Sequence, residues 1–278
     1  MREADSTPRI VVVGSTNMDL ITTTSTLPEP GQTLLGKDFH TAPGGKGGNQ
    51  AVAVARAGGA VQFVGAVGDD DFGRALRDRL ATAGVGTDRL RTVEGPSGIA
   101  AITVDARAEN TIVVVPGANG TLTELDDEDR AAVAAAEVLI LQLEIPIDTV
   151  VAAARAASDA GVTVLLNPSP VRDLPSELVA AVTVLVVNRG EADALGVDVL
   201  GAVPHVVTTL GGDGAVHRGP DGVETAVPAP AVDVVDTTGA GDAFTGALAV
   251  AWASGASPRD ALVAACAAGA DATTRSGA

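Results

Sequence analysis

A run of small residues in front of an apolar helix is the part of the chain best suited to chemistry. In VVDTTGAGDAFTGALAVAW, residues 234–252, Gly239, Ala240 and Gly241 precede Asp242 at the start of the apolar stretch. Small residues at a helix N-terminus leave backbone N–H groups open to a ligand, and the helix dipole favours an anionic one. We therefore expect these amides to hold a phosphate, with Asp242 beside it as the base that takes a proton from an attacking hydroxyl.

Two other phosphate-binding motifs fit the chain poorly. Neither of its two lysines, Lys37 and Lys46, stands in a G-x-x-x-x-G-K-[ST] frame. The dinucleotide pattern G-x-G-x-x-G fails because position 244 is Phe. A strand, a Gly hinge and a capped helix remain the alternative to an anion site.

Composition and charge limit the class of protein. The formal net charge is −17 and the isoelectric point is about 4.4, which argues against nucleic acid or an anionic membrane as a partner. One cysteine and three scattered histidines make a zinc site improbable. No basic-then-apolar leader is evident at residues 1–8, and no apolar run approaches the length of a membrane span. We expect a soluble cytoplasmic protein.

The elements that must position this site alternate between apolar strands and Ala-rich helices. Strands are predicted at 9–14, 61–68, 138–143, 162–167, 183–188 and 205–211, with helices at 70–84 and 148–161 among them. Fully apolar strands indicate a parallel sheet that is covered on both faces. The prediction is one α/β domain over residues 1–278, with three layers (α/β/α) and a mostly parallel central sheet.

Two segments lack intervening helices and predict a small separate sheet. They are a Thr-rich, Pro-broken stretch and a hairpin that turns at 106–110. We expect a β lid formed by about 18–43 and 96–118, which covers a site and pairs with its twin in a homodimer.

The quoted motif resembles the C-terminal signature of the ribokinase-like sugar kinases, the phosphofructokinase-B family. APGGKGGNQAVAVARAG (42–58) is similar to the N-terminal signature, and GSTNMDL, LQLEIP, LNPSP, NRGEADAL and TLGGDGA follow in the family's order. The likeness covers nearly the whole chain. It implies the same three-layer fold with a β lid.

The resemblance implies which residues would hold a sugar. Their shared feature is a polar side chain or an open amide at a strand or helix end, and they are Asn17, Asp19, Gly45, Lys46, Asn49, Glu144 and Asp242. The alternatives are a turn at Asn17 to Asp19, a Gly-rich helix start with a solvated Lys46, and a solvated Glu144.

The resemblance also implies a nucleotide site and two ions. The residues expected near ATP are Asn188, Thr209, Gly211, Gly214 and Gly241. Asn188 and Glu191 suit Mg²⁺ held largely through water, although the same spacing is also that of a helix capping box. Asp236 and Thr238, with backbone from near Ala272 and Gly277, resemble a loop that binds K⁺.

The resulting hypothesis is an ATP-dependent carbohydrate kinase. Asp242 would take the proton of a primary hydroxyl, while the amides of the helix start and Mg²⁺ neutralise the transferred phosphoryl group. D-Ribose is the favoured substrate, because Lys46 and the NQAVA, QLE and NPSP stretches resemble the ribose-phosphorylating members of the family. Another sugar or a nucleoside remains open, as does a degenerate kinase that binds a sugar or nucleotide without turnover.

Overall fold

The central sheet is mostly parallel, as the strand pattern predicts. The computed structural model describes residues 7–107, 109–275 and 277. Within them a nine-stranded sheet is built from strands listed in spatial order: β13 (Glu224–Val227), β12 (Ala215–Arg218), β11 (His205–Thr209), β10 (Val184–Asn188), β9 (Thr163–Leu166), β8 (Val138–Leu141), β1 (Arg9–Val13), β4 (Ala60–Gly68) and β5 (Leu90–Val93). At one edge β12 pairs antiparallel with both β11 and β13, and the other strand pairs of this sheet are parallel.

Helices cover both faces of this sheet. They are α1 (Lys46–Arg56), α2 (Asp71–Thr82), α3 (Asp127–Ala135), α4 (Ile147–Asp159), α5 (Ser176–Ala181), α6 (Arg189–Ala202), α7 (Ala240–Ala253) and α8 (Pro258–Ala272). Alternate residues of β1 point to opposite faces, so Ile10 and Val12 join one apolar core and Val11 and Val13 another. The first core packs against α1, α2, α7 and α8, and the second against α3, α4 and α5. The predicted α/β/α layering is confirmed.

A second sheet of four strands stands apart from the first. Its order is β3 (Asp38–Gly44), β2 (Asn17–Thr23), β6 (Gly98–Val104) and β7 (Asn110–Val115). These strands fall within or next to the two segments from which we expect a lid, and Ala108, within the predicted turn at 106–110, lies outside the described residues. Because β2 begins at Asn17, the predicted sugar-binding residues Asn17 and Asp19 both lie on this strand and not in the alternative turn.

The connection between β10 and β11 is short because a helix begins where the strand ends. Asn188 closes β10 and is the N-cap of α6, and only Val203 and Pro204 separate α6 from β11. Gly196 interrupts this helix with a φ of 77°, a conformation that glycine adopts without a steric penalty. Among the described residues, no helix combines the length and the apolar character needed to cross a bilayer.

Candidate active site

The start of α7 presents backbone amides to an open cleft. Gly239 is its N-cap in the left-handed region, with φ 75°, and Asp242 lies in the first turn. The N–H groups of this turn have no acceptor within the helix, although that of Ala240 donates to the Thr237 carbonyl at 3.3 Å. The amides of Gly241 and Asp242 are therefore the best placed of the predicted cradle to receive an anion.

Asp242 is a buried carboxylate whose two oxygens each accept an amide hydrogen bond. Gln50 Nε2 donates to Oδ1 at 2.9 Å, and Asn49 Nδ2 donates to Oδ2 at 3.2 Å. Burial raises the pKa of Asp242, while Lys46 and the two amide donors oppose the rise. A carboxylate with a raised pKa is a stronger base at neutral pH, which suits the predicted role.

The start of α1 holds the second signature close to β2. Gly45, the N-cap of α1, has φ 85°, and a Cβ there would lie 2.6 Å from the Asn17 nitrogen. A Cβ on Gly44 would meet the Asp19 carboxylate at 2.3 Å. Glycine at both positions is therefore required for the close approach that brings Asp19 to the helix start.

Three carboxylates gather around this helix start. Glu144 lies three residues beyond β8, where Oε2 accepts from Ser15 Oγ at 2.5 Å and from the Lys46 backbone N–H at 3.0 Å. Burial, Glu144 and Asp242 raise the pKa of Asp19 to about 6, and Arg79 lowers it. Asn17 is buried and its Oδ1 accepts from Asn119 Nδ2 at 2.7 Å. A polyol with several hydroxyl donors would satisfy the remaining carboxylate oxygens.

A polar cleft of about 240 Å³ runs from Asp242 to the sheet edge, and Asp19 and Glu144 do not line it. Seven of the residues predicted for catalysis, sugar, ATP or magnesium line it: Lys46, Asn188, Glu191, Thr209, Gly239, Gly241 and Asp242. Asn167 and Thr237 line it as well and were not predicted. Because the carboxyl ends of parallel strands meet at this edge, residues far apart in sequence converge there.

Asn188 and Glu191 form the capping box that was the alternative to an ion site. Asn188 Oδ1 accepts from the Glu191 N–H at 2.8 Å, and Glu191 Oε2 accepts from the Asn188 N–H at 2.9 Å. The box leaves Glu191 Oε1 for a further ligand, and both residues line the polar cleft. Within the part of the chain that the structure describes, no three His, Cys, Asp or Glu side chains could hold a metal by themselves. The donors present fit an ion held through water and phosphate.

An apolar cavity of about 350 Å³ adjoins the polar cleft. The predicted ATP residues Thr209, Gly211, Gly214 and Gly241 contribute to its lining. The rest comes from small and apolar residues that sequence reasoning missed, among them Pro230, Val232, Phe244, Cys266 and Ala270. Isolated apolar residues in a loop and on two helices carry no motif, so only the fold brings them together.

The loop before α7 contacts the end of α8, and the residues predicted to bind K⁺ lie at this contact. Asp236 Oδ1 accepts from the Thr238 N–H at 2.9 Å, and Oδ2 accepts from the Gly277 N–H at 3.0 Å. Burial opposes ionisation, but these hydrogen bonds outweigh it and hold the pKa of Asp236 below its usual value. Ala272 ends α8, and the neighbouring Thr273 carbonyl accepts from the amides of Val235 and Asp236.

Open backbone amides at a helix start, a buried carboxylate beside them, a cluster of acidic side chains and an apolar cavity are features of a phosphotransferase acting on a hydroxyl. Residues 7–278 match the model of the pfkB family carbohydrate kinases, and the chain belongs to that family. It is 38% identical to the ribokinase of Bacillus subtilis over 257 residues, covering 88% of this chain and 86% of the relative. It is 36% identical to a deoxyribokinase of Salmonella typhi, covering 86% and 84% of the two chains.

The solved structures agree with this placement. The structure of Arabidopsis thaliana ribokinase complexed with ribose and ATP superposes with a TM-score of 0.90 at 33% identity, covering 98% of this chain and 95% of that one. The likeness extends over both sheets, so the site described above lies within the shared fold.

Proposed function

We propose that this chain transfers the γ-phosphoryl group of ATP to the primary hydroxyl of D-ribose and releases D-ribose 5-phosphate. The observation that carries the proposal is the position of Asp242, which is one of the three clustered carboxylates, stands in the first turn of α7 and lines the polar cleft. Relatives named ribokinase, and a ribokinase structure with ribose and ATP, support the choice of both substrates.

The proposed chemistry assigns separate tasks to the two sides of Asp242. On one side Asp19, Asn17, Asn49, Glu144 and the Gly45 amide bind sugar hydroxyls and orient the primary hydroxyl toward the Asp242 carboxylate. That carboxylate accepts the proton as the hydroxyl oxygen attacks phosphorus, and ADP leaves. On the other side the amides of Gly241 and Asp242 and the Lys46 ammonium stabilise the charge on the phosphoryl oxygens.

The nucleotide would lie across the polar cleft and the apolar cavity. We assign the phosphates to the cleft, near Asn188 and Lys46, and the base to the cavity beside Thr209, Gly211 and Gly214. Mg²⁺ bound with ATP would be held by Glu191 and Asn188 through water and would supply charge neutralisation at the phosphates.

A monovalent cation site is proposed at the loop before α7. Backbone carbonyls near Ala272, together with Asp236 and Thr238, offer the oxygen ligands that K⁺ accepts, and Gly277 closes the loop onto Asp236. An ion there would order the segment that leads into Gly239 without touching the reactants. Replacing K⁺ by a large organic cation in the assay tests this assignment.

The outer strand of the small sheet supports a homodimer. In β7 the four consecutive residues Ile112, Val113, Val114 and Val115 are all exposed, by 53%, 65%, 44% and 48%. Neighbouring residues of a strand face opposite sides, so this edge strand is apolar on both faces and carries an unpaired hydrogen-bonding edge. We propose that two lids pair through β7, which sedimentation velocity would detect as a dimer.

The test is ADP formation from Mg-ATP with D-ribose, beside deoxyribose, other pentoses, hexoses and nucleosides. We expect turnover with ribose and, for Asp242→Ala, a loss of about 10²–10⁴-fold in kcat. Asp159→Ala, which removes an exposed acid at the end of α4, is the matched control. Turnover on another panel member would keep the mechanism and replace the substrate. If nothing is phosphorylated while ribose still raises the Tm, the chain is a sugar-binding protein.

A further inference from the structure

A half-buried arginine approaches the acidic cluster from α2. Arg79 Nη2 donates to Asn49 Oδ1 at 3.1 Å, and the Nδ2 of the same Asn49 donates to Asp242 Oδ2 at 3.2 Å. Arg79 stands 163 positions before Asp242 in the sequence, and no motif joins the two residues. The cation therefore reaches the candidate base through a single intervening amide.

The contact decides which way the Asn49 amide points. A guanidinium only donates hydrogen bonds, so it takes the carbonyl oxygen of Asn49 and leaves the NH₂ group toward Asp242. Asp242 Oδ1 also accepts from an amide whose orientation is set by a second donor. Gln142 Nε2 donates to Gln50 Oε1 at 2.6 Å, and Gln50 Nε2 then faces Asp242 Oδ1. Each side-chain amide that donates to Asp242 is therefore oriented by another donor, which binds its carbonyl oxygen.

Charge adds to this orientation. Asp19, Glu144 and Asp242 repel one another, since Asp242 and Glu144 both raise the pKa of Asp19 and Glu144 raises that of Asp242. Lys46 opposes this effect at Asp242, and Arg79 opposes it at Asp19. The cations that face the acidic cluster are thus Lys46 and Arg79, and Arg56 is a like-charged neighbour of Arg79.

We propose that Arg79 is a positioning residue of the kinase reaction: it orients Asn49 toward Asp242 and offsets the negative charge of Asp19 and Asp242. This role rests on the proposed function. Arg79 touches neither substrate in the assignment above and acts through Asn49 and through its charge.

The test separates orientation from charge with three variants. Arg79→Gln removes both, Arg79→Lys keeps the charge but not the planar fork, and Arg74→Gln removes an exposed cation from the same helix as a control. At pH 7 we expect Arg79→Gln to lower kcat/KM about tenfold, the loss that corresponds to one charged hydrogen bond. The acidic limb of the pH profile of kcat/KM should move to higher pH in this variant, because Asp19 and Asp242 then hold their protons more tightly.

Arg79→Lys should have the acidic limb of the wild type but a lower kcat. Arg74→Gln should match the wild type in its acidic limb and in its kcat. A purely structural role predicts a lower Tm with no movement of the limb. If Arg79→Gln has the wild-type limb and the wild-type kcat/KM, the proposal is wrong.

A second readout needs no turnover and keeps the proposal apart from the proposed function. The ¹³C carboxyl signal of Asp19, assigned with Asp19→Asn, should titrate near pH 6 in the wild type and at higher pH in Arg79→Gln. If wild type phosphorylates no sugar, the proposed function fails, yet this shift still tests the charge role of Arg79. An unchanged midpoint overturns that role even in an active kinase.

Discussion

Replacing Asp19 by Asn should stabilise the fold while it impairs sugar binding. Burial and the neighbouring carboxylates raise the pKa of Asp19 from 3.8 to about 6. Each tenfold change in proton affinity is about 1.4 kcal/mol, so at pH above 6 the ionised group costs the folded state at most about 3 kcal/mol. Because Asp19 is partly exposed, screening by water reduces this to about 1–2 kcal/mol. The expected gain in Tm is about 2–4 °C at pH 8.

The sign of this effect depends on pH. Below pH 3.8 the carboxyl of Asp19 is protonated in both the folded and the unfolded chain, so it costs nothing. Between 3.8 and about 6 the unfolded chain ionises first, and wild-type stability falls as pH rises. The advantage of Asp19→Asn should therefore grow from pH 4.5 to 7 and stay constant above that.

Thermal unfolding of both proteins from pH 4.5 to 8 measures the difference. Asp70→Asn is a control of opposite sign: burial opposes ionisation there, but hydrogen bonds from Ser97 and Gly73 outweigh it and hold the pKa of Asp70 below its usual value. That variant should lose stability above pH 4. A difference between Asp19→Asn and wild type that is independent of pH, or that favours wild type at pH 8, would refute the reasoning.

Two further predictions concern packing and a buried charge. In Gly246→Ala, the new Cβ would meet Ala53 Cβ at 2.5 Å where α7 crosses α1, so unfolding should become easier by about 1–3 kcal/mol. Gly201→Ala, at a helix position with open space, should leave stability unchanged or raise it slightly in the same urea titration. Arg91→Met leaves the buried Asp129 without its ion pair and should cost about 1–3 kcal/mol. Equal urea midpoints for Arg91→Met and wild type would contradict this cost.

The fold was predictable because its strands are short, apolar and separated by helices. The runs around Val12, Leu139 and Val186 are buried on both faces, and a strand buried in that way needs a parallel sheet with two helical layers. The hairpin that turns at 106–110 was predictable because its two β segments follow one another without an intervening helix. The structure places Asn17 and Asp19 at the first and third positions of β2, where the pattern alone had left a turn as the alternative.

The site was predictable where a backbone conformation demands glycine. Gly45 and Gly239 both have positive φ and both are N-caps of helices. The need for glycine at a positive φ therefore appears in the sequence as Gly-rich motifs. The residues that sequence reasoning missed have no such signature. Gln50, Arg79 and Cys266 stand on helix faces, where a polar or small residue in an Ala-rich sequence looks like any other.

The residues predicted from motifs and the residues that were missed differ in what constrains their positions in the sequence. Asp242 can occupy only the first turn of α7 because the anion site and the base must be adjacent, and that adjacency is local in sequence. Arg79 needs only to deliver a guanidinium to Asn49, and several positions on several elements could do so. Residues fixed by a local backbone requirement are therefore recognisable as motifs, whereas side chains that reach the site from separate elements emerge only when α1, α2 and α7 are placed together. The pH profile of Arg79→Gln measures how much of the reaction depends on this second kind of residue.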